Sequence, residues 1–149
     1  MDSFYDQTLV PRILFSLIAV AICVGPMFAD FNKTHATNPL WTPHARFHVV
    51  WQVLSQAGVS LVILYLLWSR AADYAVHIWL AAVLIYIWGA SFFSTLASMH
   101  LFDGALKDVN GIKPFRFNIF GRIYLVDTNL FGCTILMGLN TVGVYLLLK

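Results

Sequence analysis

The stretch 43–68, PHARFHVVWQVLSQAGVSLVILYLLW, decides how the rest of the chain is read. It carries no charge after Arg46 and is longer than the roughly 20 residues that cross about 30 Å of hydrocarbon as a helix. Its start is signalled by Thr42-Pro43, a hydroxyl able to cap the first turn followed by proline at the first helical position. Three further apolar runs match it in character: Leu9–Phe28, Tyr74–Phe102 and Thr128–Leu148. Pro11 falls near the start of its run, where a missing N–H costs little, and Pro26 falls near the end, where it can kink the helix. Alternation of strand type is not seen in these runs, which disfavours a barrel, and irregular backbone cannot face lipid. The expected fold is therefore all-α: an integral membrane four-helix bundle, one transmembrane domain over residues 1–149.

Composition points the same way. Sixty per cent of the residues are hydrophobic and 11% are charged, against about a quarter charged in a soluble domain. The net charge of +2 gives no reason to expect a nucleic-acid partner. All seven acids are aspartates, which removes glutamate as a base or metal ligand. Cys23 and Cys133 lie in apolar runs with no CxxC pattern and read as small buried hydrophobes. The chain starts MDSFYD, acidic where a secretory signal is basic, so the first run reads as a retained helix.

Loop 1 (Ala29–Thr42) and loop 3 (Asp103–Asp127) are long and polar, whereas loop 2 (Ser69–Asp73) is a tight turn that makes the second and third helices an antiparallel hairpin. Two spans separate loops 1 and 3, so they share a side. Lys33, Arg46, Lys107, Lys113, Arg116 and Arg122 lie there; Arg12, Arg70 and Lys149 lie opposite. The excess of basic residues predicts cytoplasmic loops 1 and 3 and termini on the other side.

Four of the five histidines also gather at the loop 1/loop 3 face; His77 is the exception. Asp30, His35, Asn38, His44, Arg46, His48 and Gln52 surround the end of helix 1 and the start of helix 2. His100 and Asp103 end helix 3, and Asn110, Arg116, Asp127 and Asn129 lead into helix 4. Spacing of i,i+4 sets His44, His48 and Gln52 on one helical stripe, prolonged inward by Ser55 and Gln56. Polar side chains at membrane depth face a bundle interior or a water-filled cavity. Histidine titrates near neutrality, which suits His44 and His48 to proton transfer, with Asp30, His100 and Asp103 assisting. The same HxxxH pair has the spacing for zinc or iron, with a third ligand drawn from His35, His100, Asp30 or Asp103. Headgroup binding by Arg46, Arg116 and Arg122, or plain capping and loop tethering, are competing readings.

Trp88, Ser91, Thr95 and Ser98 share a stripe on helix 3 that reads first as a packing face and second as a pocket lining. Asp127 reads as a helix cap, with a ligand carboxylate as its other role. Loop 3 contains the turn signals Asn110-Gly111 and Lys113-Pro114, then alternates aromatic and basic residues, as a segment lying along the membrane interface would.

The stretch Asp30-x-Asn32-x-Thr34-His35-x-x-Asn38-Pro39-x-Trp41-x-x-His44-Ala45-Arg46-Phe47-His48 resembles the signature of a family of small four-span membrane proteins of unknown function. That resemblance implies the four-helix architecture and no particular chemistry. In shape the chain is also similar to sterol isomerases and membrane terpene cyclases, which use carboxylates, histidine and tryptophan in a cavity between helices; it lacks their glutamates and is shorter.

These readings converge on a small membrane-embedded enzyme acting on an isoprenoid, steroid or fatty-chain substrate by histidine/aspartate acid–base chemistry, such as isomerisation or cyclisation. Catalysis is expected from His44, His48, Asp30, His100 and Asp103. Substrate contacts are expected from His35, Asn38, Trp41, Arg46, Trp51, Gln52, Trp88, Arg116, Asp127 and Asn129, with the tryptophan faces able to stabilise a cation. The alternatives are a metal-dependent enzyme using His44 and His48, and a non-enzymatic lipid or small-molecule binder, transporter or accessory subunit. The bilayer, a lipophilic small molecule and a second copy of the chain are the expected partners.

Overall fold

A computed structural model describes residues 7–70, 72–107 and 111–149. The acidic start of the chain and Asn110 of the expected loop 3 turn lie outside them. Four helices run in chain order: α1 (Leu9–Asp30), α2 (Pro43–Trp68), α3 (Tyr74–Ser98) and α4 (Thr128–Leu147). Each is long and apolar enough to cross a membrane, and no more than 28% of any span is buried inside the bundle. The apolar surface therefore points outward, as in Leu17, Leu61, Tyr65 and Val76.

The caps explain the boundaries. Thr42 Oγ1 accepts the Ala45 N–H at 3.2 Å and Pro43 opens α2, as the sequence predicts. Asp127 accepts the N–H groups of Asn129 and Leu130 at 2.9 and 3.2 Å and starts α4, placing a carboxylate at the positive end of the helix dipole. Asn32 closes α1 by donating to the carbonyls of Phe28 and Ala29, both at 2.9 Å, two residues beyond the expected end at Phe28. The third helix ends earlier than the expected Phe102. It tightens into a 3₁₀ turn at Met99–Leu101, and Gly104 N–H reaches back to Met99 C=O at 2.9 Å. Asp103 takes a left-handed φ of 52° there, the conformation that closes a Schellman-type helix end.

Loop 3 corrects the all-helical expectation. Strands β1 (Phe115–Ile119) and β2 (Arg122–Val126) pair antiparallel, with Phe117 opposite Tyr124 and Ile119 opposite Arg122. Two residues, Phe120 and Gly121, make the turn with φ of 50° and 78°, the double positive φ of a type I′ hairpin. An isolated two-stranded hairpin is marginal. This one leans on α4, where the rings of Phe115 and Phe117 meet Phe131 at centroid distances of 5.1 and 5.7 Å.

Helix α1 packs on α2 and α4, and α3 packs on the same two neighbours, with a further α1–α3 contact across the middle. The core lies at the loop 2 end. Phe15, Ile18 and Ile22 of α1 meet Ile63 and Leu67 of α2 and Ile78, Ala81 and Ile85 of α3. Close approach there depends on two glycines: Gly143 against the Phe15 ring and Gly89 against Met137. Polar links cross the same region. Trp68 Nε1 donates to Ser16 Oγ at 2.9 Å, Asn140 Nδ2 donates to Ala82 C=O at 3.2 Å, and Tyr86 Oη shares a 2.9 Å bond with Thr141 Oγ1. Arg12, 1% exposed, stacks its guanidinium over Trp68 at 4.9 Å. The bundle is thus closed at the loop 2 end, and its opposite half is where space remains.

Candidate functional site

That space is a cavity of about 720 Å³ between all four helices, toward loops 1 and 3, within the roughly 300–1,000 Å³ of ordinary small-molecule sites. Small residues open it: Ala21, Gly25 and Ala29 of α1 and Gly132 of α4 all line it. Beyond the adjoining helix backbone, no atom of the described residues lies within 4 Å of where a Cβ would stand on Gly25 or Gly132. Apolar lining comes from Pro26, Phe92, Ile112 and Leu136, and Trp88 and Cys133 add to it.

The polar groups of the lining come from every helix. Asp30 stands at the end of α1, Gln52 and Gln56 one turn apart on α2, Ser91 and Thr95 on α3, and Thr128 and Asn129 at the start of α4. All three of these hydroxyls have their proton engaged already. Ser91 Oγ donates to Ile87 C=O at 2.8 Å, Thr95 Oγ1 to Ser91 C=O at 2.8 Å, and Thr128 Oγ1 to Lys113 C=O at 3.0 Å. Gln56 Oε1 is buried with no hydrogen-bond partner among the described residues, an acceptor left open in a place where that is costly.

Asp30 has a neighbour outside the lining. Its Oδ1 lies 3.7 Å from His35 Nδ1. The nearer partner of that nitrogen is Thr34 Oγ1 at 2.7 Å. Since Thr34 Oγ1 donates to Asn32 Oδ1 at 2.6 Å, it accepts from His35, and this assigns a proton to Nδ1. Trp41 packs edge-on against the His35 ring at 5.0 Å. Asn38, 3% exposed, donates to Thr34 C=O at 2.9 Å and accepts from Leu40 N–H at 3.0 Å. Much of the loop 1 signature thus wires the loop into a rigid support for Asp30.

Of the residues expected at the site, the structure brings Asp30, Gln52, Trp88 and Asn129 together in the cavity. His44 and His48 are exposed and turn toward each other, Nε2 to Nε2 at 3.0 Å; neither belongs to this lining. Trp51 is 59% exposed beside His48, with ring centroids 5.8 Å apart. His100 and Asp103 sit exposed where α3 terminates, and Arg116 lies exposed on β1. Arg46 is half-buried, with Nε unpartnered among the described residues. Asp127 caps α4. No three His, Cys, Asp or Glu side chains gather closely enough to hold a metal ion among the described residues, so the expected third ligand to His44 and His48 does not arrive.

The lining also contains Thr128, Gly132, Cys133 and Leu136, none of which the sequence marks out as a site residue. The i,i+4,i+8 spacing of Thr128, Gly132 and Leu136 is the available signal. Ser91 and Thr95 take the pocket role that was their second reading. No curated protein and no solved structure matches the chain. Residues 14–115, which hold most of α1, loop 1, α2 and α3, match a family described as "Family of unknown function (DUF6640)", and the chain belongs to that family.

Proposed function

We propose that this chain is a multi-pass membrane protein that takes a lipophilic small molecule into the cavity, polar end at Asp30, and transfers a proton on it. The observation that supports this most is the mixed composition of the cavity wall. Apolar and aromatic side chains line it together with hydrogen-bonding groups from all four helices. A hydrocarbon chain would meet Phe92, Ile112 and Leu136, while its head would meet Asp30, Gln52, Gln56 and Asn129. Asp30 is the carboxyl group of the described lining. With His35 beside it, it is the group suited to general acid–base work, a role the sequence alone suggested first for His44 and His48. In this reading loops 1 and 3, with their excess of Lys and Arg, face the cytoplasm.

Cys133 is a built-in reporter, because it lines the cavity and the only other cysteine is Cys23. In Cys23→Ser protein held in neutral phosphatidylcholine nanodiscs, dodecanol should slow modification of Cys133 by methyl methanethiosulfonate several-fold. Cys23 in Cys133→Ser protein should be unaffected. If saturating dodecanol leaves the Cys133 rate unchanged, the cavity is not a site for lipophilic molecules.

A further inference from the structure

Resting on that reading of the cavity, we infer that its ligand carries a protonated amine on an apolar chain. Three features of the lining select this head group. The first is charge: the lining holds the carboxyl group of Asp30 and no Lys, Arg or His among the described residues. An anionic head would find no opposite charge there, whereas an ammonium would. The second is hydrogen-bond polarity. Ser91, Thr95 and Thr128 have committed their protons to backbone carbonyls, so toward the cavity their oxygens offer lone pairs. Gln56 Oε1 is a buried acceptor with no partner among the described residues. The amide N–H groups of Gln52, Gln56 and Asn129 supply donors too, but they are neutral and cannot balance an anion. An ammonium brings three donors and no acceptor, which is the complement of this wall. The third is aromatic: Trp88 and Phe92 line the same cavity, and ring faces attract cations.

His35 is the titratable group facing Asp30, and as an imidazolium it would compete for the carboxylate. The test is therefore run near pH 8, above the ordinary histidine range of about 6.5 and below the lysine-like amine range of about 10.4. Protection of Cys133 in Cys23→Ser protein is compared for dodecylamine, dodecanol and dodecanoate, which share one chain and differ in head group. Dodecylamine should half-protect at a concentration at least about ten-fold below dodecanoate, about 1.4 kcal/mol. Asp30→Asn, nearly isosteric, should bring that ratio close to one while dodecanol protection persists, which also shows that the variant is folded. Gln56→Leu, a second variant, should weaken amine protection and leave the carboxylate where it was. Equal or stronger protection by dodecanoate overturns the amine assignment and leaves the cavity reading standing. No protection by any of the three overturns the cavity reading and the assignment with it.

Discussion

Two glycines of α4 allow the packing of the bundle to be tested with one chemical change. In Gly132→Ala the new methyl enters open space, with no atom of the described residues within 4 Å beyond the adjoining helix backbone. In Gly143→Ala it falls 2.8 Å from Phe15 Cζ and closer still to Cε1. Phe15 is 0% exposed and sits in the core with Ile18 and Ile63, so its ring cannot swing clear without displacing neighbours. Both changes gain the same helix propensity, about 1 kcal/mol for alanine over glycine in water, and that gain cancels when the two variants are compared. What remains is the overpacking at Phe15, typically about 1–3 kcal/mol. Gly132→Ala should therefore be the more stable by about 1–3 kcal/mol, roughly 5- to 150-fold in the folded-to-unfolded ratio. Unfolding of purified protein by SDS titration in mixed micelles, followed by far-UV circular dichroism, measures the difference. Phe15→Leu combined with Gly143→Ala should recover part of the loss, a coupling of about 1 kcal/mol between touching residues. If the two alanine variants agree within about 0.5 kcal/mol, or the double variant shows no coupling, α1 and α4 do not meet as described.

Two smaller predictions concern the edges of the site. Asp127→Ala should destabilise by about 0.5–2 kcal/mol through loss of the α4 cap, while Asp127→Ser should retain most of it; thermal unfolding in the same micelles separates them. At the hairpin tip Phe120 is fully exposed with φ of 50°, a conformation that costs a non-glycine residue about 1–2 kcal/mol. Phe120→Gly should therefore slow hydrogen exchange at the Ile119–Arg122 pair, and faster exchange there would contradict the type I′ turn.

The hairpin also shows why loop 3 was only half legible. Its alternation of aromatic and basic residues was visible, and an interfacial segment accounts for that pattern as well as a strand does. Pairing distinguishes the two, and it depends on Phe120-Gly121 adopting positive φ at both positions and on Phe115 and Phe117 finding Phe131. None of that is local to either strand.

The four helices and most of their ends were determined by the sequence itself. Span length and apolar character belong to a contiguous run, and caps such as Thr42 and Asp127 act over three residues, so neither needs distant partners. The site was different. His44, His48, Gln52 and Gln56 look like one stripe, yet each i,i+4 step advances by about 40° on a helix of 3.6 residues per turn. From His44 to Gln56 the stripe turns through about 120°. Gln52 and Gln56 reach the cavity, and the two histidines face outward against each other. Which part of a drifting stripe points inward depends on how α2 is rotated against α1. That rotation is set where Ile63 and Leu67 of α2 pack on Phe15, Ile18 and Ile22 of α1 and Trp68 Nε1 bonds Ser16 Oγ. Only the packed bundle decides it, and with it the presence of Asp30 in the cavity lining and the absence of His44 and His48 from it.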